Sequence, residues 1–186
     1  MYNVRMNSPI GGQFVQPVKA VSHFHLKPGD VVADYGAGSG FFLKALTEAV
    51  GETGKVYAVE IQKALVEKLG EQAHLQGLTT VHPLWCDLEE VGGIKIADGE
   101  LDAVILVNTL FLIEDKATAI TEMLRTLRRG GQFIIIDWTE SFGSMGPQPG
   151  HIISKTDAIA LLETHGCTFE REFPAGDHHY GVVCKK

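Results

Sequence analysis

The segment Val31-Val32-Ala33-Asp34-Tyr35-Gly36-Ala37-Gly38-Ser39-Gly40 constrains this chain more than any other. Four residues with the composition of a buried strand run into a turn with glycine at every second position. A helical pattern of apolar residues (Phe41, Phe42, Leu43, Ala45, Leu46, Ala49, Val50) follows at once. Strand, glycine loop and helix in this order bring backbone N–H groups and a helix N-terminus up to a ligand. Glycine suits the loop because it adopts positive φ and has no Cβ to hold the ligand away.

Two kinds of nucleotide ligand compete for such a loop. A dinucleotide fingerprint, G-x-G-x-x-G/A, needs a small third residue for close helix–strand packing. Counted from Gly36, that position is Phe41, which is bulky. The pattern here is Asp34-x-Gly36-x-Gly38-x-Gly40, with a carboxylate at the strand end. A pyrophosphate gains nothing from that carboxylate. A ligand with a cationic head, such as S-adenosylmethionine (SAM) with its ammonium and sulfonium, does.

The remainder of the chain alternates helix and strand. The spacing predicts a helix over residues 14–26, stopped by Pro28-Gly29. A β-branched strand follows at 55–60 and an amphipathic helix at 61–76 closed by Gly77. A third strand covers 79–86, with Pro83 suiting an outer position. A fourth strand is expected at 101–108, a helix at 114–129 capped by Arg129-Gly130-Gly131, and a fifth strand at 132–138. A loop over 139–150 lies where a substrate lid would sit. A helix from Ser154 to His165-Gly166 and two closing strands, 167–173 and 179–184, complete the chain. The expected architecture is α/β: a Rossmann-like, doubly wound, mainly parallel seven-stranded sheet with helices on both faces and an antiparallel last strand. Residues 1–186 read as one domain, with 1–13 an irregular N-terminal segment.

Glu60 ends the second strand, 20 residues beyond Gly40. A carboxylate there can accept both hydroxyls of a ribose, in nicotinamide and SAM enzymes alike. The chain has 16 basic and 23 acidic residues, a net charge of −7, and no basic stripe. That disfavours a nucleic-acid partner. The densest basic group, Arg125, Arg128 and Arg129, is expected to face a helix C-terminus. No apolar run approaches the roughly 20 residues of a membrane span. The N-terminal residues lead into no signal core, and the three cysteines (Cys86, Cys167, Cys184) are odd in number and widely spaced. Both features point to a reducing, cytoplasmic setting and away from a C-x-x-C metal or redox pair. No metal site is expected.

Residues 34–40, with the acidic strand ends that follow, resemble the class I SAM-dependent methyltransferases. The segment from Leu127 to Trp138, the Gly146-Pro147 loop and the closing His178-His179-Tyr180-Gly181-Val182 pattern are most similar to the small-molecule branch, which includes ubiquinone/menaquinone-type and arsenite-type enzymes. The resemblance runs from about residue 14 to the end. It implies SAM as cofactor, held by Asp34, Gly36, Ala37, Gly38, Gly40, Glu60, Ile61, Asp87, Leu88 and Asn108. In this family an acid after the third strand takes the adenine amino group, and Asp87 matches it, with the Leu88 N–H next to the ring.

The resemblance leaves the acceptor open. Asn108-Thr109-Leu110-Phe111 stands where exocyclic-amine methyltransferases often carry Asn/Asp-Pro-Pro-Tyr/Phe, and the prolines are absent. Arsenite enzymes need clustered cysteines, and quinone enzymes are usually longer. Candidate bases are His151, His178 and His179, with Asp137 and Glu140 behind them. Adjacent strand residues face opposite ways, so His178 and His179 do not read as a metal pair. Trp138, Phe111 and Phe142 are candidate walls of an apolar pocket. Gln13, Phe14, His23 and His25 lie on the segment that would cover the cofactor. The leading reading is methyl transfer from SAM to a small molecule. RNA or protein methylation, a nicotinamide-dinucleotide-binding oxidoreductase, and SAM binding without catalysis are the alternatives. The oligomeric state is open.

Overall fold

The computed structural model describes residues 15–141 and 146–186. Residues 1–14, Gln13 and Phe14 included, and residues 142–145, Phe142 included, lie outside the described residues. The strands are β1 (Val31–Tyr35), β2 (Lys55–Glu60), β3 (Val81–Trp85), β4 (Leu101–Val107), β5 (Leu127–Trp138), β6 (Thr168–Pro174) and β7 (His179–Lys185). The helices are α1 (Pro17–Ser22), α2 (Leu43–Val50), α3 (Lys63–Leu75), α4 (Lys116–Thr126) and α5 (Lys155–Thr164).

One sheet holds these strands in the order β3-β2-β1-β4-β5-β7-β6. The first five in that order are mutually parallel, and β7 runs antiparallel to both β5 and β6. Each face is covered. Residues of α1, α2 and α3 pack with Val32, Val56, Ile134 and Ile136 on one side. Residues of α4 and α5 pack with Ala33, Val104, Phe133 and Ile135 on the other. Burial on both faces is why β1 and β4 are nearly continuous apolar runs instead of alternating ones. Pro83 sits on β3, which pairs with β2 alone, so its missing N–H breaks no second ladder. Asp115 and Ser154 start α4 and α5 by accepting the N–H groups of Thr118 and Asp157, each at 3.1 Å. Among the described residues no helix is long and apolar enough to cross a membrane.

Two elements depart from the expectations. Helix α1 has six residues, Pro17–Ser22. Pro17 opens it, and at the other end His25 takes φ 55 and turns the chain away. Phe24 lies beyond the helix yet is fully buried, stacked on Phe42 and edge-on to Phe173. Helix α4 ends at Thr126, and Leu127 through Gly131 belong to β5, so Arg129-Gly130-Gly131 is not a helix cap. Leu127 pairs with Leu101 before the register shifts to Ala103 opposite Gln132. A Cβ at Gly131 would stand 2.5 Å from the Leu127 side chain, so the shift requires glycine there.

The arginine cluster is corrected with it. Arg128 leaves the helix and pairs with Asp102 at 2.6 Å. Arg125 reaches across to the long β3–β4 connection. Its guanidinium donates to the carbonyls of Ile94 (2.8 Å) and Ile96 (3.1 Å), to Asp98 (2.6 Å) and to buried Glu122 (3.1 Å). Arg125→Ala therefore strands the Glu122 carboxylate and frees two carbonyls. A loss of about 2–3 kcal/mol is expected, lowering the thermal midpoint by several degrees. A midpoint unchanged in thermal unfolding would remove the tether.

Candidate active site

The carboxyl ends of β1, β2, β3 and β4 open into one cleft of about 420 Å³. The glycine loop after β1 forms its floor through Gly36 and Gly38. The end of β2 contributes Glu60, Ile61 and Gln62, the end of β3 Cys86, Asp87 and Leu88, and the end of β4 Asn108 and Thr109. Leu112 and Ile113, in and just after the short 3-10 turn Leu110–Leu112, close one side. This is the edge at which open α/β sheets bind ligands.

Four backbone N–H groups of the loop, those of Gly36, Ala37, Gly38 and Gly40, are spent inside the protein. Those of Gly36 and Ala37 donate to the Val59 carbonyl at 2.9 and 3.0 Å. That of Gly38 donates to Glu60 Oε2 at 3.1 Å, and that of Gly40 to the Ala37 carbonyl at 2.8 Å. A pyrophosphate cradle needs such donors uncommitted. The loop thus presents shape and a carboxylate to its ligand, where the bare motif suggested a ring of donors.

The three glycines do different work. A Cβ at Gly36 would strike the Thr109 hydroxyl at 2.5 Å, so this glycine lets the β1 and β4 loops touch. At Gly38 a Cβ would meet only the Gly36 carbonyl, at 3.8 Å, and would otherwise enter open space. Gly40 is buried and turned from the cleft, with Leu43 and Leu69 both 2.9 Å from its notional Cβ. Ala37 is also buried and outside the cleft lining.

Two carboxylates mark the site. Glu60 is 7% exposed, with Oε1 accepting the Gln62 N–H at 3.0 Å and Oε2 the Gly38 N–H. Two of its roughly four acceptor positions remain. Asp34 is 3% exposed and sits behind the lining. Burial first, and the Glu60 charge second, push its carboxyl up to about 7. Asp87 folds back on its own turn, accepting the Glu89 N–H at 2.9 Å. Ile61 and Leu112 are exposed by 53% and 64%, giving the rim apolar surface with nothing yet against it. Asn108 holds φ 53, its N–H donating to the Ile136 carbonyl at 2.8 Å, while its buried Oδ1 has no partner.

Of the candidate bases only His178 and Glu140 meet, and none lines the cleft. His151 is exposed on a 3-10 turn. His178 pairs through Nδ1 with Glu140 at 3.0 Å. His179 is buried against Trp138, and burial, then His178, hold its ring down at about 4. Asp137 accepts the Trp138 N–H at 2.8 Å and faces the N–H groups of Leu110 and Phe111. It thereby holds the turn that carries Leu112. His23 stacks on Phe173 and Phe111 is half-buried. The three cysteines are buried and free, and among the described residues no cluster could hold a metal ion. Gln62, Leu65, Leu112 and Ile113 line the cleft without having been singled out in the sequence. The apolar pair Leu112-Ile113, soon after Asn108, was the one available signal.

The comparisons agree with this geometry. A family model described as a methyltransferase domain matches residues 26–178. The chain belongs to the class I SAM-dependent methyltransferases. A SAM-dependent methyltransferase from Aquifex aeolicus superposes with a TM-score of 0.84 and 29% identity, over 92% of this chain and 89% of that one. A geranyl diphosphate methyltransferase in complex with SAM shares the fold, with a TM-score of 0.72 and 14% identity over 91% and 84% of the two chains. The ubiquinone/menaquinone biosynthesis C-methyltransferase of Burkholderia mallei is 27% identical over 120 residues, which is 64% of this chain and 48% of that protein. The chain spans about half the length of the curated relatives it matches. SAM is the cofactor of the family, and the cleft fits it. The lining includes the buried Glu60 carboxylate with Asp34 just behind it, the floor at Gly38 is open, and the buried Asn108 Oδ1 has no partner.

Proposed function

We propose that this methyltransferase moves the methyl group of SAM to a small organic acceptor. The observation that carries the reading is the combination of a glycine loop whose Gly36, Ala37, Gly38 and Gly40 N–H groups are all committed inside the protein and two buried carboxylates, Asp34 and Glu60. It favours a cationic nucleoside over a dinucleotide. Phe41, 63% exposed at the third fingerprint position, argues the same way. The net charge of −7 and the missing Pro-Pro after Asn108 weigh against RNA as acceptor. The curated relatives are named as C-methyltransferases of ubiquinone/menaquinone biosynthesis, which supports a small molecule. Three free, buried cysteines fit a reducing compartment, and we place the protein in the cytoplasm.

When bound, SAM supplies an electrophilic methyl group on a sulfonium whose neutral thioether is a good leaving group. In this reading Glu60 accepts the ribose hydroxyls, Asp87 and the Leu88 N–H take the adenine edge, and Asp34 supplies negative charge toward the amino-acid head. Leu65, Leu88, Leu112 and Ile113 exclude water. Alignment and desolvation then carry the transfer, and a base is needed only for a protonated nucleophile.

Calorimetry with SAM, S-adenosylhomocysteine and NAD tests the cofactor. Binding of both adenosyl ligands and not NAD is expected, and NAD binding alone would overturn the reading. Methyl incorporation into RNA or lysate protein, with none into small acceptors, would overturn the acceptor class.

Asp34 adds a pH dependence. The site favours the cationic head only once this carboxyl is ionised. Affinity for SAM therefore falls roughly tenfold per pH unit below about 7 and levels off above it, with a proton released on binding at lower pH. For the unliganded fold the sign is opposite. The raised pKa stabilises the protein at low pH, and that stabilisation is lost as pH rises from about 4 through about 7. Binding heats compared in buffers of different ionisation enthalpy check both. A pH-independent affinity with no proton release would separate Asp34 from the ligand.

A further inference from the structure

Among the described residues, seven buried side-chain polar atoms lack a hydrogen-bond partner, and five of them lie at one edge of the sheet, at the carboxyl ends of β4 and β5 and the start of the antiparallel β7. They are Asn108 Oδ1, Asp137 Oδ2, both ring nitrogens of His179, and the Tyr180 hydroxyl. Unpaired buried polar atoms are costly, so their gathering at one edge is informative. Asp137 and Tyr180 are register partners on the α4–α5 side of the sheet, and Asp137 already holds backbone N–H groups with its carboxylate. Asn108 faces the cofactor cleft. His179 belongs to neither arrangement.

His179 opens β7 opposite Trp138, the last residue of β5. Strand alternation from Ile134, Ile136 and Val183 puts both side chains on the α1–α2 side. The two rings lie 4.2 Å apart between centroids, inclined by 41°. Gly146 closes on the same indole, where a Cβ would come within 2.9 Å of the ring. The imidazole is 6% exposed and bonds to nothing. Its neighbour His178 shows the ordinary alternative, a carboxylate at hydrogen-bond distance. Burial keeps the His179 ring neutral at physiological pH, so it offers one N–H and one lone pair, both uncommitted.

Resting on the methyltransferase reading above, we propose that His179 grips the methyl acceptor, and that the acceptor is a flat, uncharged, largely apolar molecule bearing a hydroxyl. A hydroxyl both donates and accepts, and a neutral imidazole answers either way. Trp138 supplies apolar ring surface beside it. A neutral ring offers no countercharge, so a carboxylate or phosphate gains little from His179. The role is recognition and positioning. A ring so weakly basic holds a hydroxyl by hydrogen bonding and takes no proton from it.

The test uses the full chain saturated with S-adenosylhomocysteine and two probes of one shape, 2-naphthol and 2-methylnaphthalene. The alcohol is expected to bind about tenfold tighter and to shift the His179 ring-nitrogen resonances in histidine-labelled protein. His179→Phe should level the two probes and leave S-adenosylhomocysteine affinity unchanged. Equal affinities in the unsubstituted protein, no binding of 2-naphthol, or a preference that survives His179→Phe would overturn the proposal. Should the variant not fold, unshifted ring nitrogens in the unsubstituted protein overturn it equally. Failure to bind S-adenosylhomocysteine at all would instead strike the cofactor reading.

Discussion

Gly38→Val abolishes SAM binding and leaves a folded protein. The notional Cβ at Gly38 has only the Gly36 carbonyl nearby, at 3.8 Å, so the fold has room for a side chain. In the proposed binding mode the cofactor does not, because Gly38 is part of the cleft floor. The backbone at φ 54 costs a branched residue about 1–2 kcal/mol, a tolerable fraction of a domain's stability. Calorimetry should show at least a hundredfold loss of affinity, while circular dichroism shows a cooperative transition only a few degrees lower. Gly40→Val makes the contrast. Its Cβ would meet Leu43 and Leu69 at 2.9 Å, so that variant loses the fold along with the ligand. Micromolar SAM binding by Gly38→Val would dismiss the loop as the cofactor floor.

Glu60→Gln is the second large effect. Glutamine keeps the shape and one carbonyl oxygen for the N–H groups of Gly38 and Gln62, now shared by the two carboxylate oxygens. It removes the charge and an acceptor that the proposed binding mode turns toward the ribose. Hydrogen bonds to a charged group contribute roughly 1.5–3 kcal/mol, so affinity for S-adenosylhomocysteine should drop by about ten- to a hundredfold. A second readout separates this from simple damage. Glu60 is one of the two causes that raise Asp34. The pH below which SAM binding weakens should therefore move downward in Glu60→Gln. Weakened binding with an unmoved pH profile would mean that the two carboxylates do not sense each other.

Much of this was legible in the residues, and the misses share physical causes. Strands β1, β2 and β4 could be read because a sheet buried on both faces demands uninterrupted apolar runs. The glycine loop could be read because its dihedral angles exclude most side chains. Helix α1 was overextended because Phe24 and Leu26 keep a helical spacing, and spacing records burial without recording backbone conformation. The start of β5 was missed because Leu127 to Gly131 pair through a register shift that depends on Leu101, a partner 26 residues away. Arg125 looked like a helix-end cation because the carbonyls it holds belong to a loop with no pattern of its own. Within the site, the spacing of Gly36, Gly38 and Gly40 could not say which glycine faces the cleft, which touches Thr109 and which packs on Leu69. Nor could the pair His178-His179 show which ring finds a carboxylate and which is left bare.

The strand order has a bearing on how the chain assembles. Strand β6 has one neighbour, β7, and β7 stands between it and the rest of the sheet. The strands 168–174 and 179–185 pair locally as a hairpin, but that hairpin joins the sheet only when β7 finds β5, across an intervening stretch of some 40 residues. Pairings this distant along the chain form late. The edge that forms last is also the first to open. Amide hydrogens of β6 should exchange with solvent through local openings that leave β7 in place, whereas those of β7 should wait for the whole sheet to come apart.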